Sequence, residues 1–155
     1  MKWITITILF IMPLFIYSQS NVPGTIVMKD GNKISVHHLG HLRCGGDVTN
    51  QPYRHSLNIV GDYNGQSITI DKFDNIRKIE LSGFSSKDSR RVERANLKIY
   101  KKDGNEIALS NALIRNTCYG GGDNSDELRV IIMNPVTDEL DQSKVKTRLI
   151  KSINF

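Results

Sequence analysis

No segment of this 155-residue chain shows a sustained helical period introduced by a capping residue, only one long apolar run occurs, and cysteine is limited to two positions. The first absence excludes a helical bundle and leaves strands as the material of the fold. The second excludes a helical protein that spans a membrane several times. The third allows one internal disulfide at most. Recognisable chemistry is also scarce. Serines are frequent, but none stands in a nucleophile-elbow motif. Gly45-Gly46 and Gly120-Gly121-Gly122 lack the lysine and the following helix of a phosphate loop. Residues 120–126, rich in Gly, Asp and Asn, lack the ligand spacing of a calcium loop. Arg90, Arg91 and Arg94 come without interleaved aromatics, so nothing points to a nucleic-acid partner. A non-enzymatic protein is expected.

The one long apolar run covers residues 3–17, behind Lys2 and ahead of Ser18-Gln19-Ser20. That order of a basic start, an apolar middle and a small-residue end is that of a secretory signal peptide, here residues 1–20. The run is shorter than the roughly 20 residues that span a bilayer, and Pro13 interrupts it. The first cysteine is Cys44, too far on to carry a lipid at the cleavage point. The expectation is therefore an exported protein, periplasmic or extracellular, with no stable membrane insertion once the signal is removed. Its formal charge of +5 falls by one with Lys2, and its basic residues are scattered among acidic ones, as on a solvated mixed-charge surface.

What the chain does contain is a repeat. Lys29-Asp30-Gly31-Asn32-Lys33-Ile34 returns as Lys102-Asp103-Gly104-Asn105-Glu106-Ile107, with Ile26 matching Ile99 and Val36 matching Leu109. After a one-residue insertion the match resumes at Cys44/Cys118, Ile76/Ile150, Ile79/Ile153 and Leu81/Phe155. Ordered matches of this kind indicate a duplicated unit. Each copy reads as a hairpin, a long connection, a second hairpin and a closing strand. Asp-Gly and Asn-Gly turns stand between alternating apolar runs. The fold class is all-β: two duplicated antiparallel units, small barrels or a sandwich, packed with pseudo-twofold symmetry. The units are residues 21–81 and 95–155, with an exposed linker at 82–94. Whether they stand as two barrels or merge into one sheet is left open by strand spacing. Residues 111–119 read as a connection leading into the triple glycine. With its strand order and its Lys-Asp-Gly turn, each unit resembles the small SH3-like and Sm-like barrels. The Sm likeness would imply RNA binding, but it requires a glycine-containing second motif, and residues 75–81 hold no glycine.

Cys44 and Cys118 occupy corresponding places in the two copies, and equivalent positions near a twofold axis approach each other. A disulfide between them is expected, and on the chain-entropy model it would contribute about 4 kcal/mol. His37, His38, His41 and His55 cluster in or beside the first long connection and have no counterpart in the second copy. Imidazole nitrogens bind zinc or copper, so these four residues form a candidate metal site. On a strand, however, His37 and His38 point to opposite faces. Connections on a rigid β scaffold commonly carry binding, and Tyr53, Arg54 and Tyr119 are of types enriched at interfaces. The leading expectation is an exported binding module without a cofactor, acting on an envelope or extracellular protein or a glycan. The alternative is a histidine-dependent metal-binding or metal-dependent protein. Because the chain ends in the apolar repeat Ile153 and Phe155, removing residues 153–155 is expected to lower the melting temperature.

Overall fold

The computed structural model describes residues 22–39, 57–85, 93–118, 121–123 and 126–155, with backbone alone at 116–118 and 121–123. The expected signal segment, residues 1–20, lies outside the described residues. Two hairpins share one turn chemistry. β1 (Gly24–Met28) and β2 (Lys33–Val36) are joined through Lys29-Asp30-Gly31-Asn32. β7 (Ala95–Lys101) and β8 (Glu106–Cys118) are joined through Lys102-Asp103-Gly104-Asn105. Gly31 at φ 92° and Gly104 at φ 89° occupy the left-handed region that side chains with a Cβ resist. In both turns the aspartate Oδ1 accepts the N–H of the asparagine two residues on, at 2.9 Å. A third hairpin, β4 (Leu57–Tyr63) with β5 (Gln66–Ile70), turns on Asn64 at φ 50° and Gly65 at φ 80°. Two successive positive φ values are what an Asn-Gly type I′ turn requires.

The other strands are β3 (His38–Leu39), β6 (Ile76–Ser82), β9 (Gly121–Asp123), β10 (Glu127–Met133), β11 (Leu140–Lys146) and β12 (Ile150–Asn154). The fold is all-β, in two antiparallel sheets. The larger runs in the order β2-β1-β12-β6-β7-β8-β4-β5, with β9 added to β8, and the smaller in the order β11-β10-β3. β2 leads directly into β3, and the His37 N–H donates to the Ile131 carbonyl at 2.8 Å, so the second sheet hangs from the end of the first.

One row of side chains organises the core. Ile34, Ile26, Ile153, Ile79, Ile99 and Ile107 lie directly opposite one another in turn, from β2 across to β8. The four central members, Ile26, Ile153, Ile79 and Ile99, are at most 1% exposed. Burying each such side chain stabilises the fold by about 1.5–3 kcal/mol, and β-branched side chains pack well on a pleated surface. Leu128 and Val130 of β10 belong to the same cluster, so it draws on both sheets.

At the middle of the row β6 lies beside β12. Ile79 faces Ile153, Glu80 faces Ser152, and Lys78 faces Asn154. On the two flanks, Ile79 faces Ile99 of β7 as Ile153 faces Ile26 of β1. The β6–β7 ladder is irregular between Ile76 and Lys78, and the β1–β12 ladder between Val27 and Met28, where the partner jumps from Ser152 to Ile150. From β2 to β8 the order reads the same from either end when β1, β2 and β6 are exchanged for β7, β8 and β12. The alternative of two separate barrels is thereby decided. One sheet passes through both halves, and each half's closing strand pairs with the other half's hairpin.

Two elements depart from the sequence expectation. Residues 111–118, expected as part of a connection, continue β8, because β4 pairs along that stretch with Ile59 opposite Ile114 and Leu57 opposite Asn116. The strand bends there: Asn111 has φ 51°, and the ladder shifts between Val60 and Asp62. Gly61 sits at that shift, where a Cβ would lie 2.9 Å from that of Ala112. The second departure is β11, whose Asp141, Gln142, Ser143 and Lys144 show no apolar alternation. It is held by pairing residue for residue with β10, from Glu127 opposite Lys146 to Met133 opposite Leu140. β6 also reaches Ser82, one residue into the expected linker, and the Ser85 N–H donates to the Arg94 carbonyl at 2.8 Å near the linker's far end. At the C-terminus the Phe155 ring stacks on Phe73, with centroids 5.5 Å apart.

Ile79→Ala is expected to cost about 2–5 kcal/mol in urea unfolding, as for other large-to-small changes in a packed core. Ile79→Ala combined with Ile153→Ala should depart from the sum of the single effects, because the two side chains are direct neighbours. Gly61→Ala should lower the melting temperature, by forcing β4 away from Ala112.

Candidate binding surface

The structure separates the histidines of the candidate metal site that it describes. His37 is exposed at the bend between β2 and β3, whereas His38 is buried, 1% exposed, at the start of β3. Its Nδ1 accepts the Val22 N–H at 3.1 Å, which commits that nitrogen to holding the chain entering β1. His41 and His55 lie outside the described residues, as do Cys44, Tyr53, Arg54 and Tyr119. Cys118 is described only by its backbone, at the end of β8. Among the described residues no three His, Cys, Asp or Glu side chains converge as a metal site would require. Arg94 has a structural role, its Nη1 donating to the Asn111 carbonyl at 3.0 Å, at the bend of β8.

A different surface emerges from the sheet. The alternation that turns the isoleucines inward turns Lys78, Glu80 and Ser82 of β6 to the outer face. Tyr100, Lys98 and Asn96 of β7 stand directly opposite them, and Glu106 and Ala108 of β8 stand opposite Tyr100 and Lys98. Glu80 accepts hydrogen bonds from the Lys78 ammonium and, at 2.8 Å, from the Tyr100 hydroxyl. The Lys98 Nζ lies 2.7 Å from Glu106. Both ammonium groups also lie over the Tyr100 ring, Lys78 at 5.5 Å and Lys98 at 5.0 Å from its centroid.

The hydrogen bond from Lys78, and after it that from Tyr100, holds the Glu80 carboxyl below the usual carboxylate range. The hydrogen bond to Glu106, and after it that to Tyr100, raises the Lys98 ammonium. These side chains are between a third and half exposed, so solvent screens the ion pairs and their share of stability is small. Their stronger effect is to keep Tyr100 and two cations in fixed positions.

Beside this network lies an open groove of about 490 Å³. Asp62 and Asn64 flank one side, Asn96 and Lys98 the other, and the small side chains of Ala108 and Ser110 leave the space between them. Asn111 Nδ2 donates to Asp62 Oδ2 at 3.3 Å, so the bend that shapes β8 also orients the groove's carboxylate. The groove offers amide, hydroxyl, carboxylate and ammonium groups and includes no histidine or cysteine, an arrangement suited to holding a polar ligand. On β1 and β12, the positions that match Lys98, Tyr100, Lys78 and Glu80 are Thr25, Val27, Ser152 and Asn154, which carry no charge, while Glu106 is matched by Lys33 of β2.

The alternation of polar residues along β6, β7 and β8 was a readable signal for this face. The pairing of β7 with β8 was legible in their hairpin turn, but the placement of β6 beside β7 was not. Comparison with protein-family models, with curated proteins and with solved structures finds no match to this chain.

Glu80's contribution to stability is present above the carboxyl pKa of the unfolded chain and is lost as pH falls through the depressed folded value. Lys98's is present below the unfolded ammonium pKa and is lost as pH rises through the raised folded value. The network should therefore persist across neutral pH and weaken at both extremes. Tyr100→Phe should return the Glu80 carboxyl toward its ordinary pKa, a change read by NMR titration of that side chain.

Proposed function

We propose that this chain is an exported, non-enzymatic β module that binds an envelope or extracellular protein or a glycan through the outer face of β6, β7 and β8. One observation carries the reading. The two hairpin-and-closing-strand sets share turn chemistry and pairing, yet the charged network belongs to only one of them, and the groove lies between that set and the β4–β5 hairpin. A structural requirement common to both sets would not place Lys78, Glu80, Lys98 and Tyr100 where the β1–β12 set has Ser152, Asn154, Thr25 and Val27. The ordered ligating groups around a polar groove favour recognition, since binding sites use a few fixed polar groups to set orientation. Duplication of an ancestral unit accounts for the repeated turns and ladders, and the apolar segment at residues 3–17 supports export. In that setting Cys44 and Cys118 form a disulfide.

The test is affinity capture with the oxidised mature protein as bait, using an envelope extract of its own cell. The control bait is Asn96→Arg with Ser110→Arg, which fills the groove and leaves the inner face untouched. A protein or glycan held by the native bait and released by the filled one is expected. Retention that is indifferent to the filled groove, or no retention by folded bait, would overturn the reading. For the disulfide, alkylation without reductant should leave both cysteines unmodified, and reduction should expose both, a difference read by mass spectrometry.

A further inference from the structure

The larger sheet ends at β5, and among the described residues no strand lies beyond it. The smaller sheet ends at β11, which is the matching second strand of a hairpin in the other half. The two edges differ in chemistry. β11 carries Asp141, Lys144 and Lys146, charges that discourage edge-to-edge pairing. β5 reads Gln-Ser-Ile-Thr-Ile and carries none. We infer that β5 is a self-association edge, pairing antiparallel with β5 of a second copy of this chain.

The direction of its hydrogen bonds follows from the turn. A two-residue Asn64-Gly65 loop makes Tyr63 and Gln66 a hydrogen-bonded pair, and such pairs alternate along an antiparallel ladder. With Gly61 opposite Ile68 and Ile59 opposite Ile70, residues 66, 68 and 70 bond to β4. Ser67 and Thr69 therefore direct their backbone N–H and C=O groups away from the sheet. Two copies related by a twofold axis at Ile68 would set Ser67 of each against Thr69 of the other, forming about four backbone hydrogen bonds. Ile68, half-buried and packed on the core, would meet its own copy on the inner side and extend the apolar surface across the junction. Ser67 and Thr69 would pair on the outer side, a favourable cross-strand combination.

Neutrality selects the second copy over other occupants. A strand without charge can face itself at every position without like-charge repulsion, and it offers a charged peptide nothing to read. A single short strand pair buries less than the roughly 1,200 Å² of stable interfaces, so the dimer is weak and concentration-dependent.

The experiment is sedimentation equilibrium of the full mature protein from low-micromolar to millimolar concentration. The same run includes a lysine variant, Ser67→Lys with Thr69→Lys, and an aspartate variant, Ser67→Asp with Thr69→Asp. Both residues are exposed on the outer face, and melting curves verify that each variant folds. The native protein should double in mass as concentration rises. Each variant alone should stay monomeric, and their equimolar mixture should recover the dimer. In the native protein the Ser67 and Thr69 amides should also exchange more slowly with solvent at high concentration. A native chain that stays monomeric, or a dimer unaffected by either variant, would overturn the inference. Oligomers that keep lengthening would do so as well, because they would indicate head-to-tail pairing of β5 with β11.

Discussion

The structure depends on the contact between Ile79 and Ile153, at the centre of six isoleucines that cross the sheet from β2 to β8. Their side chains are stiff, β-branched and directly opposed, so each fixes the register of the next. A slip of one residue in any of these strands would turn its buried side chains to solvent and bring lysine, glutamate or serine inward. The row therefore determines which residues are left for the outer face, including Lys78, Glu80, Lys98 and Tyr100. Core and candidate binding surface are two sides of one alternation.

Much of the fold was legible because the signals were local. Lys-Asp-Gly-Asn and Asn64-Gly65 each contain their own turn, and the alternating isoleucines mark the strands beside them. β11 was not legible, because its polar residues owe their strand conformation to β10 and carry no period of their own. The extension of β8 through Cys118 has the same origin. Asn111 and Gly61 bend and accommodate the ladder only because β4 is present, and the Asn111 to Glu127 stretch read alone looks like a connection. Strand order was beyond reach for a related reason: nothing within β6 says that it will lie between β7 and β12.

The candidate site was less legible still. Histidines attract attention in a sequence because imidazole has distinctive chemistry, yet His37 is exposed while His38 is buried, and the Val22 amide occupies one nitrogen of His38. The polar face of β6, β7 and β8 is assembled from ordinary residue types. Its character comes from adjacency: Tyr100 lies between two ammonium groups, and Glu80 receives both a lysine and a tyrosine. The β1–β12 pair shares the isoleucine row but has Thr25, Val27 and the buried Ser152 at the positions of Lys98, Tyr100 and Lys78.

The exchange of closing strands also governs the order in which the chain can become complete. Thr25 pairs with Asn154, so β1 has no neighbour on its inner flank until a strand far along the chain reaches it. The central ladder consequently cannot close before β12 is in place. Contacts between such distant segments are slow to form, since the intervening loop must be ordered before any pairing compensates for it. A sheet wired in this way stays divided until β12 arrives, so its central seam is among the last parts to lock.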